Sequence, residues 1–454
     1  MNKKFLASVL VGTMSLSTLA GCSKAAVETS GQESTQGTTI EEPDELTPES
    51  DAPVESTEPS KSDLTIEKKV GDISQEDESK FRQGYLDFSL EMLKKCLARD
   101  GKDSNIMVSP ASMMLALDMT AAGATGDTLE QMLGLYGGTQ DPQGQLSYAA
   151  KLLKRMNETE GIKLHAADSI WVNKNVMPEG LKQDYVDFVT KYFEAESEST
   201  VFDQATKDRI NNWVSDKTDK MIPSIIDSLD PDIAMMLINA IVFDGKWAKQ
   251  YNDGQVDEET FTSASGEQQK AQMMASTEDY YLENDKATGF AKYYEGGQYA
   301  FVVMLPKDKT QNAGDLVDQF TGESFDEYIN SISEDYLVKA KMPEFKYDWG
   351  GSVKSQLESL GMKVPFDSNK ADFSGISDAG KDLYIGDVIH KTHIEVDRNG
   401  TKAAAVTAVI AYRNALVVDQ KERKEVICDR PFAYAIVDMT DNTPVFIGTV
   451  NDVI

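Results

Sequence analysis

Long stretches with a clear apolar period follow one long stretch that has none. Phe81, Tyr85, Phe88, Leu90, Leu93 and Leu97 recur at helical spacing before the break at Asp100-Gly101, which predicts a first core helix from about Lys80. Residues 105–110 read as a short apolar strand, and Ser112, just past Pro110, opens a second helix through Met114, Leu117 and Met119 to Gly123. Further strands are predicted at 169–172, 235–243, 299–305 and 432–438, and helices at 181–192, 207–218 and 353–360. The order is mixed rather than regularly alternating, and no internal repeat is visible. That pattern predicts an α+β fold with large antiparallel sheets and helices to one side.

The unpatterned stretch runs from Ser23 to about Ser62 and is rich in Ser, Thr, Glu, Pro and Gly. It lacks the apolar side chains needed to fold alone, and its one-sided acidic charge is expected to extend it. Ahead of it, Lys3 and Lys4 precede an apolar run from Phe5 to Leu16 that is too short for a stable membrane span. Leu19-Ala20-Gly21-Cys22 resembles a bacterial lipobox, which implies cleavage before Cys22 and a diacylglycerol on its thiol. The expected organisation is a signal peptide over 1–21, a lipidated cysteine with an acidic tether over 22–78, and one folded domain over 79–454. The expected location is the extracellular face of the cell envelope, with the lipid on Cys22 as the sole membrane contact. A flexible tether of about 50 residues spans roughly 40 Å, enough to hold the domain clear of the surface.

Composition narrows the function. A chain of 454 residues with 40% hydrophobic residues can bury a large core, and its formal net charge of −31 argues against binding nucleic acid. Cys96 and Cys428 lie too far apart in sequence for a small disulfide scaffold and are expected to be buried thiols. His165, His390 and His393 are the only histidines, and no nucleophile elbow, zinc-protease motif or P-loop is present. His390 and His393 fall on opposite faces of a strand and do not converge on a metal. The chain is therefore expected to be neither an enzyme nor a binder of a metal or other cofactor.

Several motifs then occur together: 105–128 with Asn105-Ile-Met-Val-Ser-Pro110, Asn212-Trp-Val-Ser-Asp-Lys-Thr218, Leu237-Ile-Asn-Ala-Ile-Val-Phe-Asp-Gly-Lys-Trp247, Met342-Pro-Glu-Phe345, Asp429-Arg-Pro-Phe432 and Phe446-Ile-Gly448. In this order, from about Lys80 to the end, they resemble the serpin family of serine protease inhibitors. The resemblance implies three β-sheets, about eight or nine helices and an exposed reactive-centre loop. It also implies a target serine protease, or alternatively a cysteine protease, met by a monomer and trapped irreversibly when the cleaved loop enters the main sheet as a new strand.

The segment 388–408 resembles the strand and hinge that lead into that loop. Its hinge positions are Gly400, Thr401, Ala403, Ala404, Ala405 and Thr407, small or β-branched residues without proline, as an entering strand requires. Thr401, Ala403, Ala405 and Thr407 share the face expected to meet the core, with Lys402 on the other. Composition alone leaves 403–411 open to a surface helix, since alanine is the best helix former. By resemblance, sheet opening is governed by Ser109, Ser112, Asn239 and His390, and Trp247 marks where the loop first enters. Counting from Gly400 places the scissile bond at Arg413-Asn414 or Asn414-Ala415. The basic side chain favours Arg413 for a trypsin-like target, with Tyr412-Arg413 behind it. Two departures from the family stand out: Arg398 and Lys402 replace glutamates, which is expected to weaken the hinge's electrostatic tuning, and 419–425 adds a charged stretch expected to be a solvated loop. The alternative is a non-inhibitory serpin-fold lipoprotein that serves as an interaction module.

Overall fold

The computed structural model describes residues 64–159, 161–401 and 421–453. The signal segment, Cys22, most of the tether, Lys402, Ala403, Ala404, Ala405, Thr407, Tyr412, Arg413, Asn414 and Ala415 lie outside the described residues.

Among the described residues the helices are α1 (Gln75–Asp100), α2 (Pro110–Ala121), α3 (Gly126–Gly134), α4 (Pro142–Asn157), α5 (Gln183–Phe193), α6 (Gln204–Lys217), α7 (Ala313–Val317), α8 (Gly322–Asn330) and α9 (Lys354–Ser359). The strands are β1 (Ile106–Val108), β2 (Ile162–Asn173), β3 (Glu196–Thr200), β4 (Met235–Lys246), β5 (Val256–Thr262), β6 (Gln268–Glu278), β7 (Tyr281–Glu283), β8 (Ala287–Tyr293), β9 (Tyr299–Pro306), β10 (Tyr336–Pro343), β11 (Phe345–Ser352), β12 (Ile385–Val396), β13 (Gly400–Thr401), β14 (Glu422–Ile427), β15 (Phe432–Asp438) and β16 (Thr443–Val450). They form three sheets, ordered β11-β12-β13-β4-β2-β3, β1-β16-β15-β9-β8-β7 and β14-β10-β6-β5. The α+β class and the three sheets match the expectation.

Helix α1 begins five residues before Lys80, inside the span assigned to the tether. The signals there are polar rather than apolar: the Ser74 hydroxyl accepts from the Asp77 amide at 3.1 Å, and Glu76, Asp77 and Glu78 fill the first turn. The tether boundary at 78 is corrected further by residues 64–73, which lie on the body. The Leu64 carbonyl accepts from Gly126 N–H at 2.9 Å, and Lys68 pairs with Asp184 at 2.6 Å. Leu64, Ile66, Val70 and Ile73 pack against the core, an apolar spacing too sparse to stand out beside the acidic run. Helix α2 begins at Pro110 rather than Ser112, because Ser109 is its cap and its hydroxyl accepts from Ser112 N–H at 3.3 Å.

The main sheet is mixed rather than antiparallel, since β12 runs parallel to β4, and β2 to β3. Both faces of β4 are covered, which explains its unbroken apolar run. Met235, Leu237, Ile241 and Phe243 join the large core, while Met236, Ile238, Ala240 and Val242 join a smaller one with Ile210 and Val214 of α6. The charged stretch before Val426 is also corrected. Glu422 to Glu425 belong to β14, an edge strand paired in parallel with β10. The pairing places Val426 in the core and sets Glu425 beside Lys339 at 2.9 Å, so alternating burial hides a strand inside a charge run. Cys96 and Cys428 are free and buried, and burial pushes both thiols up, that of Cys96 to about 12.

Candidate functional site: the junction of the two central strands

Strands β12 and β4 are paired from Ile385 opposite Met235 to His393 opposite Val242. In the middle of this ladder His390 faces Asn239, which also lies opposite Asp168 of β2. Asn239 shares the face of the sheet that α2 covers, so one row of side chains crosses three strands and meets the start of that helix. The His390 Nε2 accepts from the Ser109 backbone N–H at 3.1 Å. That assignment leaves the proton on Nδ1, where it is donated to the Asn239 side-chain oxygen Oδ1. The Asn239 side-chain Nδ2 donates to the Ser112 backbone carbonyl at 2.9 Å, to the Ser112 hydroxyl and to Asp168 Oδ1. The Ser109 hydroxyl donates to the Val445 carbonyl at 2.8 Å.

All these groups are buried. Burial holds the His390 imidazole down at about 3, so it is neutral at any ordinary pH. Burial pushes the Asp168 carboxyl up to about 7, against the opposing effect of the Asn239 amide. Separating β12 from β4 breaks the His390–Asn239 bond. A row of satisfied polar groups therefore fastens the two strands. Asp168 was not singled out in the sequence, yet it carries a local signal: an acid at the same strand parity as Ile170 and Val172, both fully buried.

Beyond His393 the two strands part. Into the fork between them β13 enters antiparallel to both neighbours, with Thr401 opposite Val396 and Gly245, and Gly400 opposite Lys246. Gly400 is required by contact, because a Cβ there would lie 2.1 Å from the Gly245 carbonyl oxygen. The turn into β13 is held by the Asp397 carboxylate, which accepts from the amides of Asn399 at 2.7 Å and Gly400 at 3.1 Å. Trp247 closes the end of the fork. Its backbone N–H donates to the Asn399 carbonyl at 2.9 Å and its indole N–H to the Asp397 carbonyl at 2.8 Å. The structure thus brings Gly400, Thr401 and Trp247 together at the fork, and Ser109, Ser112, Asn239 and His390 together at the ladder's middle.

Arg398 is not an unbalanced charge. Its guanidinium pairs with Glu344 and Asp253, both at 3.1 Å, and its amide also donates to Glu344 at 3.3 Å. The departure expected to weaken the hinge is matched by an acid of opposite sign between β10 and β11. Sequence proximity offered no sign of this, since Glu344 lies 54 positions away. His393 bonds Asp348 at 2.6 Å, away from the His390 row.

A family model described as serpin, serine protease inhibitor, matches residues 83–453. The chain is a serpin. Iripin-8 of Ixodes ricinus is 30% identical to it over 374 residues, covering 80% of this chain and 91% of that one. Serpin B6 of Macaca fascicularis is 31% identical over 380 residues, covering 80% and 96%. The crystal structure of a thermophilic serpin, tengpin, in the native state matches with a TM-score of 0.76 and 37% identity over 86% of this chain and 97% of that one. Tengpin in the latent state matches with a TM-score of 0.70. Serpins are protease inhibitors rather than enzymes, and the serpin domain accounts for nearly all the described residues.

Proposed function

We propose that this serpin is an irreversible inhibitor of an extracellular trypsin-like or elastase-like serine protease, working by insertion of its cleaved loop between β4 and β12. The observation that carries the reading is the fork. Two parallel strands are zipped together along most of their length, and a strand antiparallel to both has entered only its open end. Full entry would exchange one parallel ladder for two antiparallel ones, a gain in both the number and the quality of backbone hydrogen bonds. That difference is the driving force a trap of this kind needs.

The chemistry before insertion is ordinary acyl transfer. The protease serine oxygen attacks the Arg413 carbonyl carbon, the Arg413-Asn414 bond breaks, and the Asn414 nitrogen leaves with a proton. The remaining acyl ester normally falls to water. Insertion carries the tethered protease away from the bait's docking position and distorts its oxyanion site before water acts. The compensated Arg398 removes one argument for a non-inhibitory role. Lipidation at Cys22 would hold this trap on the extracellular face of the envelope.

The test incubates the domain with a trypsin-like and an elastase-like protease, followed by boiling in detergent. The expected result is a covalent complex, with the released fragment beginning at Asn414 by mass spectrometry. Cleavage alone should also raise the melting temperature sharply. Clean turnover of the loop, with neither complex nor gain in heat stability, would overturn the reading.

A further inference from the structure

The two hinge residues already in the sheet are held from outside it. The Thr401 side chain is buried, and its hydroxyl lies 2.6 Å from the hydroxyl of Tyr294, which is fully buried too. Tyr294 follows β8, a strand of the second sheet. Its backbone amide bonds the Tyr299 carbonyl at 3.0 Å, closing the turn into β9. Its ring stacks on Trp247 with centroids 4.6 Å apart and lies 4.7 Å from Phe243, so its position is fixed by packing before any hinge arrives. Among the described residues, the hydroxyl contact joins Tyr294 to the hinge.

We propose that the Tyr294 hydroxyl is a positioning residue for the trap, a latch that holds Thr401 in its final register so that insertion starts already nucleated. The inference rests on loop insertion as the working step. An entering strand must choose a register, and a slip of one residue turns every side chain to the wrong face. Closing the first loop also carries an entropic cost before any ladder bond repays it. With Thr401 latched and Gly400 seated against Gly245, both are settled before the protease cuts. The race between insertion and hydrolysis of the acyl ester then begins from the second residue pair.

The test uses Tyr294→Phe, which keeps the ring stack, together with Thr401→Val, Thr401→Ser and the Phe/Val double variant. For each, the number of inhibitor molecules consumed per protease trapped is measured beside the rate of loop cleavage. Tyr294→Phe and Thr401→Val should each raise the consumed number, because loss of one buried hydrogen bond shifts the intact hinge about fivefold toward the unlatched state from which insertion must still be nucleated. Cleavage rates should be unchanged, Thr401→Ser should behave as wild type, and the double variant should be no worse than either single one. Unchanged consumption in Tyr294→Phe, or additive losses in the double variant, would overturn the latch. If the wild type forms no stable complex with any protease, it is the insertion reading that fails. Hydrogen exchange at the Gly400 and Thr401 amides of the intact protein then decides the latch: faster exchange in Tyr294→Phe supports it, and identical exchange rules it out.

Discussion

Asp168 is the member of the strand-fastening row whose charge responds to ordinary pH. Its carboxyl is raised from the usual value near 3.8 to about 7, so the native protein binds a proton there that the unfolded chain releases. The stabilisation is therefore full below about pH 4 and is lost as pH rises through 7. Asp168→Asn should remove this dependence and make the protein more stable than wild type at pH 8, by up to about 4 kcal/mol. Melting temperatures of the two proteins between pH 5 and 8 check it, and parallel curves would contradict it. Asp118, buried and raised to about 8, contributes in the same direction in both proteins and does not confuse the comparison. At the hinge, Arg398→Glu sets three acids together and should cost about 1 kcal/mol, with most of it restored by Glu344→Arg in the same chain. Thermal denaturation of the single and double variants measures this. Asp253 adds little to the pair because it is almost fully exposed.

At the scale of elements, the fork sets what the hinge can be. Gly400 fits because it has no Cβ, and Thr401 fits because its side chain is small enough for a closed site. Thr401→Arg should block entry at the first position, leaving a protein that its target protease cleaves at the normal rate without being trapped. Electrophoresis under denaturing conditions distinguishes the two outcomes, and persistent complex formation would mean that insertion does not start at Thr401. The other face of β4 carries a small core under α6 that is separate from the main one. Strand β14 shows how an element escapes notice. Its exposed residues are charged, and Val426 and Cys428 are the only fully buried side chains at its end, too few to reveal a period.

For the whole molecule, the insertion proposed above would draw on the parallel pairing of β4 with β12, which a fully inserted strand would replace. A hairpin connection would force neighbours to run antiparallel. These two strands are joined instead by a long stretch of intervening structure, so they are free to run the same way. An antiparallel newcomer then suits both of them. The anchor is tested on intact cells. Cys22→Ala should move the protein from the membrane fraction to the medium, and retention in the membrane would remove the lipid from the account. Residues 64–73, ahead of α1, are docked on α4 and α5 through Gly71 to Ser147 and Lys68 to Asp184.

The family, the α+β class, the core helices and the apolar strands were already legible in the sequence. These follow from local periodicity and from motifs contiguous in the chain. It also identified Ser109, Ser112, Asn239, His390, Gly400, Thr401 and Trp247 as the residues to watch. Tertiary structure alone decided how they meet, because the deciding contacts join distant positions: Asn239 with His390 across 151 residues, and Tyr294 with Thr401 across 107. A lone acid such as Asp168 leaves a trace in strand parity, whereas a tyrosine hydroxyl or the acid opposite Arg398 leaves none. A side chain's own neighbours in sequence record which way it faces, and only the assembled sheet supplies what it faces.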